Sequence, residues 1–329
     1  MKELNFDLLK SLYCVFSPSD EEKRMRRFIK KHIKNTVPSA IVIQDEYGNL
    51  FVTKGEAESY PCLCAHMDQV QHLHPKDFVC VESQGVIFGY SPKVRKQCGL
   101  GADDKNGIFI ALQCLERYDV LKCAFFVGEE IGCVGSSAAD ISFFSDCRFC
   151  AQIDRRGNSD MVTSISYDSI CSDEFIKDAD CTSYGYAVST GLMTDVEALR
   201  RNGVTVSCIN MSCGYYEPHT DHEFTVIEDV KKCHAFVCHL IEHCTSVYPY
   251  EPDEECGCAS YGSDNYWERY CTSWDYDECL EYCCESLYND PMLTLEEFSD
   301  NIKGCYRLDK KQIAEIYDTA RSYVDSETA

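Results

Sequence analysis

Apolar positions over the first 245 residues alternate between two periods, and each period predicts an element. Met25, Phe28, Ile29 and Ile33 share one helical face. Ser19-x-x-Glu22, just ahead of them, has the form of a capping box that opens the helix. The intervening Lys23, Arg24, Arg26, Arg27, Lys30 and Lys31 read as its solvated side. Strands from Ile41 to Gln44 and from Leu50 to Thr53 flank the turn Tyr47-Gly48-Asn49. The run Pro61 to Ala65 predicts a buried strand that delivers His66 at its end. A helix starting at Asp104 or Lys105 carries Ile108, Ala111, Leu112 and Leu115 at i, i+3, i+4 and i+7. Cys123 to Val127 and Phe149 to Ile153 are further buried strands, running into Glu129-Glu130 and Asp154. Beyond them the pattern predicts a short helix from Thr194 to Arg201, a strand from Thr205 to Met211 and a loop from Tyr215 to Thr220. A long amphipathic helix from Ile227 to His243 follows.

Strands alternating with helices require crossover connections. The predicted fold class is therefore α/β: a three-layer α/β/α arrangement on a mixed, mainly parallel twisted sheet. His66, Glu129, Glu130 and Asp154 all fall just past strand ends on one edge, where open α/β sheets place their ligands. Tyr248-Pro249-Tyr250-Glu251-Pro252 reads as a linker, separating a main domain, residues 1–248, from a region spanning 249–329. Helical spacing at Tyr276 to Tyr288 and Lys310 to Val324 makes that region a small α-helical C-terminal appendage.

Charge narrows the partners. The chain carries 55 acidic and 31 basic residues, a net charge of −24, which repels nucleic acid and anionic membrane surfaces. From Glu251 onward 20 acidic residues face 6 basic ones, so more than half of the excess sits in the C-terminal region. Twenty-four cysteines in a chain of 329 residues with ordinary core composition read as reduced, buried thiols. Met1 to Asp7 lacks a basic segment followed by an apolar stretch, and no run of eighteen apolar residues occurs. The expectation is a cytoplasmic protein without a membrane partner.

Three motifs carry chemistry. In Ala65-His66-Met67-Asp68 the histidine and aspartate are two residues apart on a strand end and point the same way. The carboxylate can then fix the imidazole tautomer and leave the other nitrogen for a metal. Gly101-Ala102-Asp103-Asp104-Lys105-Asn106-Gly107 places paired carboxylates before a helix, which suits a helix cap or a ligand shared by two cations. Glu129-Glu130 ends a buried strand, and two adjacent carboxylates there repel unless a cation stabilises one. Cys147-x-x-Cys150 is half of a redox or zinc site, and no second Cys-x-x-Cys or nearby histidine pair completes it. For it, as for Cys256-x-Cys258 and Cys283-Cys284, buried thiols are the default.

The order His-x-Asp, Gly-x-Asp-Asp, Glu-Glu, Asp, His at residues 66, 103, 129–130, 154 and 219 resembles the di-zinc exopeptidase superfamily. That superfamily includes peptidase T, aminoacylase, carboxypeptidase G and the leucyl and glutamyl aminopeptidases of bacteria. The likeness covers roughly residues 1–245. It implies two zinc ions, with cobalt or manganese as substitutes. It further implies Asp103 as the bridging ligand, His66 and Asp154 completing one zinc, and Glu130 and His219 the other. Glu129 then resembles the general base, Asp68 the partner of His66, and the Asp103–Asp104 peptide bond is expected to be cis. His219-Thr220 matches the family's His-Thr segment better than His222, which reads as a loop residue, as do His72 and His74.

The chain departs from the family in its spacings. Only 64 residues separate Asp154 from His219 and only 34 separate Asp68 from Asp103, too few for either the lid domain or the barrel-like insertion of the relatives. Arg155 and Arg156 are candidates to meet a peptide carboxylate, or are plain surface charges. The expected function is that of a zinc-dependent aminopeptidase or tri/dipeptidase acting on short peptides, with a homo-oligomer allowed. An N-acyl amino acid deacylase or a carboxypeptidase is the nearest alternative, and a catalytically silent binding protein using the acidic region is another.

Overall fold

The computed structural model describes residues 4–71, 74–165, 168–250, 283, 286–287, 293–301 and 310–328. The chain forms two compact units, Met1–Pro252 and Asp253–Ala329. In the first, helices α1 (Phe6–Tyr13) and α2 (Lys23–Thr36) precede strands β1 (Ile41–Gln44), β2 (Leu50–Lys54) and β3 (Tyr60–His66). Strands β4 (Val79–Ser83), β5 (Val86–Ser91) and β6 (Lys96–Cys98) lead to helix α3 (Ala102–Arg117). Then come β7 (Leu121–Phe126), the short α4 (Val134–Ser137), β8 (Cys147–Arg155), β9 (Asp160–Ile165), β10 (Asp168–Ser169), α5 (Asp173–Ala179) and β11 (Ala187–Gly191). Helix α6 (Asp195–Arg201), strands β12 (Cys208–Ser212), β13 (Tyr215–Tyr216) and β14 (Phe224–Val226), and helix α7 (Ile227–His243) complete the unit.

Nine strands form the main sheet, in the order β1-β2-β7-β3-β8-β12-β9-β10, with β11 on β9. Its centre is parallel: β3 pairs with β7 and β8, and β8 with β12. Alternation along the strands divides the core. Leu63, Ala65, Cys123, Phe125, Ala151 and Ile153 face α1, α2, α3, α5 and α7, whereas Cys62, Cys64, Ala124, Phe126 and Cys150 face α6 on the other side. The strands are buried on both faces, as their unbroken apolar runs predict. Gly107 shows how closely α3 lies on the sheet, since a Cβ there would come within 2.4 Å of the Ile153 carbonyl oxygen.

Three readings of the sequence need correction, and one stretch it left unassigned forms strands. The capping box does not form: α2 starts at Lys23 with Glu22 as its N-cap and no side-chain cap, because the Ser19 hydroxyl is engaged by Asp68. The stretch between Asp68 and Asp103 contains β4, β5 and β6, which join β13 and β14 in a second, antiparallel sheet. Tyr215 and Tyr216 accordingly form a strand rather than a loop. The strand expected from Thr205 runs from Cys208 to Ser212, since Val206 makes only an isolated bridge to Pro249.

In the second unit, α8 (Leu295–Asn301) and α9 (Lys310–Thr328) bury Phe298, Ile316, Ala320 and Val324 with Cys283, Leu287 and Leu293. Thr294 and Glu297 form a reciprocal capping box at the start of α8. The helix expected from Tyr276 falls largely outside the described residues. Among the described residues no helix is long and apolar enough to cross a membrane.

Candidate metal centre

The parallel register assembles the first half of the site. Cys64 lies opposite Gln152, so two residues on, at the C-terminal ends of β3 and β8, His66 stands beside Asp154. The His66 Nε2 atom is 3.5 Å from Asp154 Oδ1 and 3.0 Å from Asp103 Oδ1. Beyond the end of the neighbouring β7, the turn after Gly128 brings in Glu129, whose carboxylate approaches within 4.8 Å of the donor atoms of His66 and Asp154.

Asp103 links the two halves. Its Oδ1 faces His66, while its Oδ2 lies 3.5 Å from His219 Nε2, which is itself 3.1 Å from Glu130 Oε2. The neighbouring Asp104 faces elsewhere. Its oxygens accept from the backbone amides of His66 (3.2 Å) and Gly107 (2.9 Å). Of the two adjacent aspartates only Asp103 therefore presents its carboxylate between the histidines, and the peptide bond joining them is cis.

Asp68 organises the surroundings. Its Oδ1 is 3.4 Å from His66 Nδ1, within ion-pair range, and accepts from the Glu129 amide at 3.1 Å. Its Oδ2 accepts from the Glu130 amide at 3.2 Å and the Ser19 hydroxyl at 2.8 Å. One buried carboxylate thus fixes both the histidine and the glutamate turn.

Several supporting residues carry no sequence signal. Glu223 is buried and accepts from the amides of Gly101 (2.5 Å) and Asp103 (3.1 Å), clamping the loop that carries the central aspartate. It sits among charged loop residues that look solvated in sequence. Asp154 receives the Gln152 amide at 3.0 Å and the Tyr215 hydroxyl at 3.3 Å, and Gln152 reaches back to Asp195 at 3.1 Å. Lys105, also buried, donates to Gln69. The sequence candidates outside the centre are occupied otherwise: Arg155 is paired with Asp160 at 2.8 Å, His222 is exposed, and His74 packs between Phe16 and Phe78.

Burial and carboxylate crowding shape the electrostatics. Burial pushes the Glu129 carboxyl well up, reinforced by Asp154 and Asp195, and raises Glu130 and Asp154 in the same sense. Burial works against the His219 imidazolium, yet Glu130 and Asp103 outweigh it and push the group up to about 12. Two imidazoles and several carboxylates converge here, and Glu130 Oε1 is buried without a hydrogen-bond partner. Such a donor set, oxygen and nitrogen with one orphaned buried oxygen, fits divalent cations of the zinc type.

The fold is that of the peptidase T-like and TET aminopeptidases, an α/β exopeptidase fold. Aminopeptidase PepT from Bacillus cereus superposes with a TM-score of 0.60 at 15% identity, over 73% of this chain and 97% of that one. A tripeptidase from Staphylococcus aureus gives 0.58 at 16% identity, over 72% and 96%. The TET1 peptidase of Pyrococcus horikoshii, which assembles into a tetrahedron or a large octahedral shell, gives 0.52 at 16% identity, over 72% and 98%. No family model and no curated protein matches the sequence.

Proposed function

We propose that the chain is a metal-dependent aminopeptidase that removes single residues from short peptides. The observation that carries the reading is the position of Asp103, with one oxygen toward His66 and the other toward His219. In this reading His66, Asp103 and Asp154 hold one zinc ion, and Asp103, Glu130 and His219 hold the second. When bound, the pair of cations would polarise the scissile carbonyl and make water a competent nucleophile at neutral pH.

The protein's own groups do the rest. Glu129 accepts the proton of the attacking water and delivers it to the leaving amine, a role favoured by burial that raises its proton affinity. Asp68 keeps the imidazole of His66 in register and holds the amides of Glu129 and Glu130, so the base and its neighbour move together. Glu223 anchors the Asp103 loop from below. A homo-oligomer belongs to the same proposal, by analogy with the shells formed by the TET1 peptidase.

The test is a peptide panel with free amino termini set against the same panel N-acylated, with and without chelator. Turnover of the free-amine panel, lost with chelator and restored by zinc, is the expected result. Exclusive turnover of the acylated panel would replace aminopeptidase by deacylase or carboxypeptidase. An absence of turnover on both panels in zinc-loaded protein would leave only a binding role.

A further inference from the structure

A second group of metal-binding side chains lies inside the core, on the α6 side of the main sheet. Cys62 of β3 is the register partner of Cys150 in β8, and Cys150 is in turn the partner of Cys208 in β12. Cys64 stands two residues beyond Cys62 on the same face. An irregularity in the β3–β8 pairing, where Tyr60 meets Cys147 but Pro61 meets Phe149, brings Cys147 to that face as well. Tertiary pairing therefore supplies what Cys147-x-x-Cys150 lacks in sequence.

The sulfur atoms of Cys62, Cys147 and Cys150 lie within 4.8 Å of one another, and Cys64, outside that triad, follows two residues along β3 on the same face. All four are at most 1% exposed. Tetrahedral zinc with Zn–S bonds of about 2.3 Å needs sulfurs about 3.8 Å apart, a contraction within reach of side-chain rotation. Lys122 is the register partner of Cys62 in β7, and its ammonium is paired with Asp146. It lowers the cost of a thiolate at Cys62 and Cys147, and the remaining thiols release their protons to the metal as it binds.

We propose that Cys62, Cys147 and Cys150, with Cys64 turning in as the fourth donor, form a closed, structural thiolate site for one zinc ion, separate from the carboxylate–histidine centre. The site ties β3 to β8, the two strands that end in His66 and Asp154. Being buried, it fills as the chain folds. Among the described residues the other such group, Cys114 with His234 and Cys238 between α3 and α7, offers three donors. It also has the Arg117 guanidinium 3.4 Å from Cys238 Sγ, which opposes a cation.

The test is the full-length protein produced with cobalt(II) as the supplied metal and purified reduced. Thiolate ligands give cobalt an intense near-ultraviolet charge-transfer band that imidazole and carboxylate ligands do not, so the readout is independent of the peptidase reading. One thiolate-bound cobalt per chain is expected. The band should survive in Asp103→Ala and in Cys114→Ser/Cys238→Ser, and disappear in Cys62→Ala/Cys150→Ala. If that double variant does not fold, Cys147→Ala takes its place, and a weakened, shifted band is expected. The proposal is overturned by folded wild-type protein without the band, by a band unchanged in the cysteine variants, or by a band lost with Cys114 and Cys238.

Discussion

In the proposed centre individual residues have separable duties, and substitutions should separate them. Glu129→Gln keeps the shape but removes the proposed proton acceptor. Turnover is expected to fall by about 10²- to 10⁴-fold, while metal content, measured by mass spectrometry, stays at the wild-type level. Ser19→Ala removes one hydrogen bond to Asp68. A net hydrogen bond is worth about 1 kcal/mol of stability, so we expect a melting temperature lower by about 2–4 °C together with a reduced kcat. A wild-type kcat in Ser19→Ala would show that Asp68 needs no help from the segment that precedes α2. Asp195 offers a pH readout. Burial raises its carboxyl from 3.8 to about 7, so the stability due to protonation is full below about pH 4 and is lost as the pH rises through 7. In chelated protein the wild type should therefore lose stability relative to Asp195→Asn between about pH 4 and 7. Parallel melting curves for the two would contradict the assignment.

At the scale of elements, the site depends on how closely α3 approaches β8. Gly107→Ala would drive a Cβ into the Ile153 carbonyl and both oxygens of Asp104, at 2.4 to 2.5 Å. Overpacking of this kind costs about 1–3 kcal/mol, and denaturant unfolding should register it together with a loss of activity. The elements themselves were largely legible. Helix α7 runs from Ile227 to His243 as its periodicity predicts, and β3, β7 and β8 lie within a residue or two of their apolar runs. Other elements were illegible for definite reasons. Strand β4 is largely exposed and β5 alternates between buried and half-buried positions, so neither forms a long apolar run, and β11 depends on pairing with β9 rather than on a continuous apolar sequence. The box at Ser19 misled because the same hydroxyl that would cap a helix can equally serve a buried carboxylate.

At the scale of the whole molecule, the carboxylates that converge at one edge of the sheet are poorly compatible with one another without cations. Chelation should abolish activity and lower the melting temperature. A ligand at 100 times its Kd contributes about 2.7 kcal/mol, and readdition of zinc should restore both. The division at Pro252 makes a further prediction. A chain ending there retains both core clusters of the first unit and every residue of the proposed centre, so it should fold and cleave peptides. Failure of that shorter chain to turn over peptides would assign the acidic region a part in the chemistry.

Taken alone, the amino-acid order determined which side chains reach the edge of the sheet, because buried parallel strands announce themselves by unbroken apolar runs and their ends are where ligands gather. His66, Glu129, Glu130 and Asp154 were readable for that reason, whereas Asp103 and His219 were assigned by resemblance to a family pattern. Tertiary structure decided the rest. It turned Asp103 rather than Asp104 between the histidines, set Glu223 under the loop, gave Ser19 to Asp68 and aligned Cys62 with Cys150. Each of those depends on register or close approach between segments distant in sequence. A local pattern of polar and apolar residues contains no information about which distant atom will accept a given hydrogen bond.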